Sequence, residues 1–179
     1  MTGVDAHSPS QGEVQIRPAR RDDFPAIMDL YDELNEYQTG WRVFPPRPGY
    51  RRQMQVRYEQ AIGGIDMAVL VACAGSEVVG MAVADLGRPS SFSDEAAVEI
   101  SSVIVRPAYR GRGIATLLVS RLLEFARRRE VRRLTVRVFA PNEGARSFWS
   151  ALGFTTRLVQ MTAALSDVEA AVGGRTGDE

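Results

Sequence analysis

A short basic turn that contains two glycines has the residue types best suited to chemistry in this sequence. It follows an apolar run that ends at Val105 and leads directly into a stretch of helical periodicity. A helix start presents free backbone N–H groups and the positive end of the helix dipole, which together bind anions. Glycines let the backbone approach an anion, and arginines add positive charge. The residues of this predicted phosphate-binding site are Arg110, Gly111, Arg112, Gly113, Ile114, Ala115 and Thr116.

The spacing of the glycines separates this turn from two common nucleotide-binding turns. A P-loop requires Gly, four residues and then Gly-Lys-Ser/Thr, and the sequence contains no such run. A dinucleotide-binding turn requires a third glycine, where this chain has Thr116, and an acidic residue further on, whereas the next predicted strand at 134–139 has none. An NTPase and a nicotinamide enzyme are therefore disfavoured. The glycines alone also fit an ordinary basic turn that caps an exposed helix.

Composition and charge narrow the chemistry further. The 179 residues are 45% hydrophobic and 25% charged, which is typical of one folded domain. Lys plus Arg and Asp plus Glu both number 22, so no net charge attracts nucleic acid or an anionic membrane. No run of roughly 18 apolar residues and no signal-peptide pattern occurs, so we expect a cytoplasmic protein without a membrane partner.

Cysteine and histidine are too scarce for several classes of catalytic site. The chain has one of each, Cys73 and His7. An internal disulfide is therefore impossible. A structural zinc site lacks enough Cys and His ligands, and a Ser-His-Asp triad lacks a positioned imidazole. His7 lies in a polar stretch that predicts a disordered head, and Cys73 lies in an apolar run that predicts a buried strand. We expect no metal.

Apolar periodicity predicts the elements that position the turn. Their order is strand, two helices, hairpin, strand, helix, strand, helix, strand. Strands are predicted at 14–19, 66–74, 78–86, 96–107, 134–139 and 154–163. The helices are one capped by Asp23, one at 50–62, one from Ile114 with a buried stripe, and one capped by Asn142. The predicted stripe is Ile114, Leu117, Leu118, Leu122 and Phe125. The predicted domain covers 14–164, with a disordered head at 1–13 and a flexible tail at 165–179.

Two blocks of the sequence resemble the signatures of the GNAT acetyltransferases. Residues 110–115, Arg-Gly-Arg-Gly-Ile-Ala, are similar to the Gln/Arg-x-x-Gly-x-Gly/Ala signature. Residues 142–154, which contain Asn-Glu-Gly-Ala, an aromatic pair and Leu-Gly-Phe, resemble the second signature. The resemblance spans roughly 14–163. It implies an α/β (α+β) GNAT fold: a mixed, mostly antiparallel sheet of six or seven strands, with helices on both faces and splayed central strands.

The resemblance also implies an activity and a co-substrate. The chain is expected to be an N-acetyltransferase that moves the acetyl group of acetyl-CoA to a small-molecule or peptide amine, by direct attack in a ternary complex. By resemblance, the turn grips the pyrophosphate of acetyl-CoA. The main chains of Val103, Ile104 and Val105 contact the pantetheine arm, and Asn142 holds the arm or the thioester end.

Glu99 is the candidate general base, because family members often carry a catalytic Glu on this strand. A solvated strand carboxylate is an equal alternative for Glu99, and Asp85 is a second candidate base. Where the family often has a Tyr that protonates the departing thiolate, this chain has Trp149, whose indole is far too weak an acid. The thiolate then leaves unassisted or takes a proton from Ser147 or Tyr109, and Trp149 also fits a purely structural core position.

Other functions and partners stay open at this point. A GNAT-fold domain that binds acyl-CoA without turnover, as a sensor or scaffold, is the alternative function. The basic segment 126–133 fits nucleic acid less well than it fits a solvated basic turn, so we expect no nucleic-acid partner. The loop 39–49 with Trp41 and Phe44, and the loop around Phe92, are expected to border the acceptor site. The oligomeric state is open, with a homodimer among the options.

Overall fold

The computed structural model describes residues 13–41, 46–87 and 96–175. They belong to two units, Met1–Phe139 and Ala140–Glu179. The first contains β1 (Val14–Pro18), α1 (Phe24–Gln38), α2 (Tyr50–Ala61), β2 (Met67–Ala74), β3 (Glu77–Gly87), β4 (Ala97–Val105), α3 (Ile114–Arg127) and β5 (Arg133–Val136). The second contains α4 (Glu143–Ala151) and α5 (Leu165–Arg175). His7, Phe44 and Phe92, which the sequence singled out, lie outside the described residues.

The strands form one sheet in the order β1-β2-β3-β4-β5. The first four strands are antiparallel neighbours, and β5 runs parallel to β4. The mixed, mostly antiparallel sheet is therefore confirmed. The described residues contain five strands, fewer than the predicted six or seven.

Helices α1, α2 and α3 pack against the sheet through their apolar side chains. Side chains of α1 and α2 form a core with β2 and β3, in which Ile27, Leu30, Tyr58, Val71 and Met81 are fully buried. Truncating such a residue to Ala costs about 2–5 kcal/mol of stability. Helix α3 also packs on the sheet and buries Leu118 and Leu122 completely. Among the described residues, no helix combines the length and apolar character that a bilayer crossing requires.

The start of α1 is fixed by a carboxylate, although not as the sequence predicted. Asp23 was expected to cap α1, but its side chain makes no cap hydrogen bond to that helix. It instead accepts hydrogen bonds from the guanidinium of Arg17 at 2.7 and 2.8 Å and from the N–H of Arg20 at 2.6 Å. Since Arg17 belongs to β1, Asp23 ties the beginning of α1 to the sheet. Pro25 lies in the first turn of α1, where it is tolerated, as predicted.

Helix α3 buries most of its predicted stripe. Ile114, Leu118, Leu122 and Phe125 are buried, but Leu117 is 48% exposed, so its predicted burial is wrong. The observed stripe is centred between Leu118 and Leu122 and also contains Val119 and Ala126. At 100° per residue, Leu117 lies well to one side of that centre.

The last two predicted strands differ most from the structure. Strand β5 has four residues, ending at Val136, where a strand at 134–139 was predicted. The predicted strand at 154–163 does not form: the chain there has no regular structure, and Leu158 is 86% exposed. Alternating apolar residues supply the period of a strand but not a partner that would pair its N–H and C=O groups. Helix α5 occupies most of the predicted tail.

Candidate active site

The phosphate turn, residues 110–116, joins β4 to α3 through two glycines with left-handed backbone. Gly111 has φ +73° and Gly113 has φ +77°. A side chain at such φ values is strained, so the conformation requires glycine. A Cβ added at either position would meet nothing within 4 Å. The space beside the backbone is therefore open to a ligand.

The start of α3 leaves its first N–H groups without an intrahelical partner. The N–H of Leu117 donates to the carbonyl oxygen of Gly113 at 3.0 Å, which opens the ladder of the helix. The N–H groups of Ile114, Ala115 and Thr116 precede this bond, as they do in any α-helix. They lie at the positive end of the dipole of a 14-residue helix. This arrangement is suited to the oxygens of a phosphate group.

The two arginines of the phosphate turn are held by local contacts. The Nε of Arg110 donates to the carbonyl oxygen of Val105 at 2.9 Å, and its guanidinium lies 5.7 Å from the ring centre of Tyr37. Arg112 donates to the carbonyl oxygen of Ala108 at 3.0 Å and lies 5.2 Å from the ring centre of Tyr109. Both positive charges are therefore positioned beside the open space.

The edge of β4 that precedes the phosphate turn has no strand partner among the described residues over several positions. Pairing with β5 covers only residues 97–100 of β4, whereas pairing with β3 continues to Val105. Among the described residues, 101–105 thus have no strand partner on the β5 side. The N–H of Arg106 donates to the carbonyl oxygen of Val79 at 2.9 Å. By antiparallel alternation, Ile104 then pairs with β3, while Val103 and Val105 direct their backbone groups to the open edge.

Glu99 and Asp85 are directly opposite each other on β4 and β3. Glu99 Oε1 lies 2.6 Å from a guanidinium nitrogen of Arg137, whose side chain is 86% exposed, and Asp85 Oδ1 lies 2.6 Å from one of Arg57. Both candidate bases therefore carry an arginine partner. Glu99 Oε1 is itself buried and makes no hydrogen bond within the described part of the chain, so the largely exposed Arg137 contacts it only as an ion pair.

A chain of three hydroxyl groups, Tyr58–Tyr31–Ser102, runs from α2 through α1 to β4, and the sequence alone did not reveal it. The hydroxyl of Tyr58 donates to that of Tyr31, and the oxygen of Tyr31 lies 2.7 Å from Ser102 Oγ. Both tyrosines are buried, and burial raises the pKa of each phenol above its ordinary value. They therefore stay protonated near neutral pH. The polar pair Ser101 and Ser102 in the largely apolar sequence of β4 was the one signal of these hydroxyl contacts.

Tyr109, a candidate proton donor, and Trp149, which stands at the position of the usual donor, have other roles. The hydroxyl of Tyr109 donates to a carboxylate oxygen of Glu77 at 2.9 Å, and this bond raises the pKa of Tyr109, which makes it a poorer acid. Trp149, in the second unit, is buried and packs edge to face against Phe148 and Phe154 at 5.0 and 5.1 Å between ring centres. Its geometry supports the core role.

Asn142 begins α4 as predicted. Its carboxamide oxygen accepts a hydrogen bond from the N–H of Ala145 at 3.0 Å. Asn142 belongs to the second unit, and its contact with the pantetheine arm stays a prediction. Among the described residues, no group of three or more His, Cys, Asp or Glu side chains is arranged to hold a metal ion.

The comparison with known families agrees with the observed sheet. Residues 27–154 match the family described as "Acetyltransferase (GNAT) family". The chain belongs to this family. GNAT enzymes are acyltransferases that use acetyl-CoA as co-substrate.

Individual relatives are consistent with the family. The chain is 35% identical over 133 residues to the uncharacterized N-acetyltransferase MJ1207 of Methanocaldococcus jannaschii, covering 73% of this chain and 58% of that protein. It is 26% identical over 147 residues to a phosphinothricin N-acetyltransferase of Streptomyces coelicolor, covering 82% of this chain and 84% of that protein. The structure resembles that of a BH1408 protein variant from Bacillus halodurans, with TM-score 0.74 and 24% identity over 84% of this chain and 99% of that one, which confirms the GNAT fold.

Proposed function

We propose that this chain transfers the acetyl group of acetyl-CoA to a primary amine of a small molecule or peptide. The observation that carries the proposal is the phosphate turn. Its two left-handed glycines and the free N–H groups at the start of α3 surround an open space. The pyrophosphate of CoA supplies the anion for which such an arrangement is suited.

The unpaired edge of β4 would hold the rest of the co-substrate. The pantetheine arm carries amide groups, which can pair with a strand edge as an added strand does. Val103 and Val105 offer backbone groups there, while Ile104 packs into the core from the same strand. The carbonyl oxygen of Val105 already accepts from Arg110, so Val103 and the N–H of Val105 are the available contacts.

The chemical step would be direct attack of the neutral amine on the thioester carbon. An alkyl amine has a pKa of about 10.4, so near pH 7 it must first lose a proton. In this proposal Glu99 accepts that proton after Arg137 moves away. A backbone N–H of β4 polarises the acyl oxygen, and the CoA thiolate leaves unassisted, which a thiol of pKa about 8.5 permits.

The relatives guide the choice of acceptor. One is named a phosphinothricin N-acetyltransferase, which supports small amino compounds as the first candidates. A peptide N-terminus is the other acceptor class in the proposal. The aromatic ring of Trp41 lies 5.2 Å from that of Tyr37 and 6.2 Å from that of Phe139, which provides an apolar surface for the body of an acceptor.

A non-catalytic acyl-CoA-binding protein is the second candidate. Two observations favour it: Trp149 fills the position of the usual proton donor, and Glu99 is paired with Arg137. The two candidates share the phosphate turn and differ only in turnover.

Calorimetry with CoA, followed by a thiol-release assay, tests both candidates. The assay uses acetyl-CoA with phosphinothricin, polyamines, aminoglycosides, amino acids and peptides. We expect CoA binding and thiol release with at least one amine. Binding without release across this panel would support the non-catalytic candidate. An absence of CoA binding would refute both.

A further inference from the structure

The hydroxyl chain has one proton that none of its members accepts. Each of its three hydroxyl groups carries one hydrogen. The hydroxyl of Tyr58 donates to the oxygen of Tyr31. Tyr31 is buried, and Ser102 Oγ lies 2.7 Å from its oxygen, so Ser102 is the acceptor for the proton of Tyr31. The proton of Ser102 is then left without an acceptor among the three hydroxyl groups.

A β-bulge in β4 determines the face of the sheet on which the Ser102 side chain lies. Residues 99 and 102 are three positions apart and would face opposite sides of a regular strand. The register shifts between Val83 and Ala84, which leaves Ser101 as an extra residue in β4. Glu99 therefore pairs with Asp85, and Ser102 with Val83, two positions apart on β3. The bulge brings Glu99 and Ser102 to the same face, the one covered by α1 and α2.

Ser102 also lies in the segment of β4 that is not paired with β5. It immediately precedes Val103, whose backbone groups face the open side, and it is half-buried rather than sealed in the core. Its neighbour Ser101 is exposed, and its Oγ donates a long bond of 3.4 Å to the carbonyl oxygen of Val83. Of these two serines, only Ser102 is held by a buried hydroxyl.

We propose that Ser102 donates a hydrogen bond to the acyl oxygen of the thioester during transfer, and that Tyr31 and Tyr58 are positioning residues that direct its proton. The inference rests on the proposed function. As the amine nitrogen bonds to the carbonyl carbon, the π electron pair moves to oxygen and accepts the Ser102 hydrogen bond without proton transfer. Collapse restores the C=O bond and breaks the C–S bond, whose electron pair leaves with the sulfur as thiolate, and the attacking nitrogen loses its second proton to solvent to give the neutral amide.

Substitutions that differ by one hydroxyl test the donor. The side chains introduced by Ser102→Thr and Ser102→Val have nearly the same shape, but only that of Thr keeps the O–H. We expect Ser102→Val to lower kcat about a hundredfold, which is typical of losing one oxyanion donor. Ser102→Thr should stay within a few-fold of the wild type, as should the control Ser101→Ala. CoA affinity by calorimetry should be the same in all of them.

A double-mutant cycle tests the positioning role. Tyr31→Phe removes one oxygen and should lower kcat about tenfold in the wild type, yet have no further effect in Ser102→Val, because the two residues act in series. A purely structural role of Tyr31 would lower kcat equally in both backgrounds. Melting curves of each variant check that it is folded.

The outcomes separate this inference from the proposed function. If the wild type releases CoA and Ser102→Val turns over as fast as Ser102→Thr, the inference is wrong and the proposed function stands. If the wild type does not bind CoA, both are wrong. If Tyr31→Phe does not fold, the Thr and Val pair alone decides about the donor.

Discussion

One half of the candidate site is built from backbone groups and the other half from side chains. The phosphate turn uses backbone N–H groups within seven consecutive residues, and its directions are set by Gly111, Gly113 and the start of α3. In the mechanism proposed above, the amine side uses the side chains of Glu99, Ser102 and Tyr31, of which the last two are in contact although 71 residues apart in sequence. The first half should therefore respond to changes of backbone conformation and space, and the second to changes of single atoms.

Closing the open space of the phosphate turn should have the largest effect. Gly113→Glu places a carboxylate beside the expected pyrophosphate and strains a backbone at φ +77°. We expect CoA affinity to fall about a thousandfold, since two charge-assisted hydrogen bonds of about 2 kcal/mol each are lost. Titration calorimetry with CoA measures the change.

A matched glycine separates strain from lost binding. Gly63 follows α2 with φ +78°, and a Cβ there also meets nothing within 4 Å. Gly63→Glu therefore carries the same backbone strain and the same added charge, far along the sequence from the phosphate turn. It should bind CoA as the wild type does. Equal affinities of the two variants would mean that the turn is not the phosphate site.

Removing the candidate base should have the next largest effect, and only on turnover. Glu99→Gln should lower kcat/KM for the amine about a hundredfold near pH 7, a typical contribution of a general base. The deficit should shrink as the pH rises toward the amine pKa of about 10.4, because more of the amine is then already neutral. Thiol release measured from pH 6 to 9.5 tests both statements.

The CoA affinity of Glu99→Gln shows whether the phosphate turn binds CoA independently of the amine side. We expect it to equal that of the wild type, because Glu99 does not belong to the phosphate turn. Glu124→Gln, on the exposed side of α3, is the control for loss of a surface carboxylate. A turnover rate of Glu99→Gln that matches this control at every pH would remove Glu99 from the mechanism.

The same division explains which parts of the site the sequence predicts. The phosphate turn depends on neighbouring residues, and glycines before a helix start are legible in any single sequence. The position of Ser102 depends on the register between β3 and β4, which the bulge at Ser101 changes. Tyr31 has helical spacing with other apolar residues, so its sequence context predicts core and conceals its hydroxyl. Arg137 lies outside both signatures, and only the fold brings it to Glu99.

The helices and strands show a related limit of prediction from sequence. Helices α1 and α3 were predicted because their apolar spacing and end signals are local. The partner of Asp23 was missed because Arg17 reaches it from β1, and the strand at 154–163 was predicted from alternation that does not specify a partner. Local periodicity thus predicted helices α1 to α4 and the strands of the sheet, but it was wrong for 154–163 and for α5. It did not predict which groups satisfy one another across elements.

Substituting Asp23 should have the smallest effect. Asp23 anchors α1, which carries Tyr31, so it links the scaffold to the amine side. Asp23→Asn should lower the free energy of unfolding by about 1–3 kcal/mol at pH 7, since a buried hydrogen bond to a charged group is lost. The hydrogen bonds from Arg17 lower the pKa of Asp23 below its ordinary 3.8. Its stabilisation is then fully present above that value and is lost as the pH falls through the folded-state pKa.

Urea unfolding at pH 7, 5, 4 and 3 measures this dependence, with the exposed neighbour Asp22→Asn as control. The difference between wild type and Asp23→Asn should be constant above about pH 5 and shrink below pH 4. A difference that is as large at pH 3 as at pH 7 would show that the substitution acts through packing and not through the carboxylate. Because Asp23 acts on α1 and not on the phosphate turn, folded Asp23→Asn should keep its CoA affinity, and any loss of turnover should then come from the displaced hydroxyl of Tyr31.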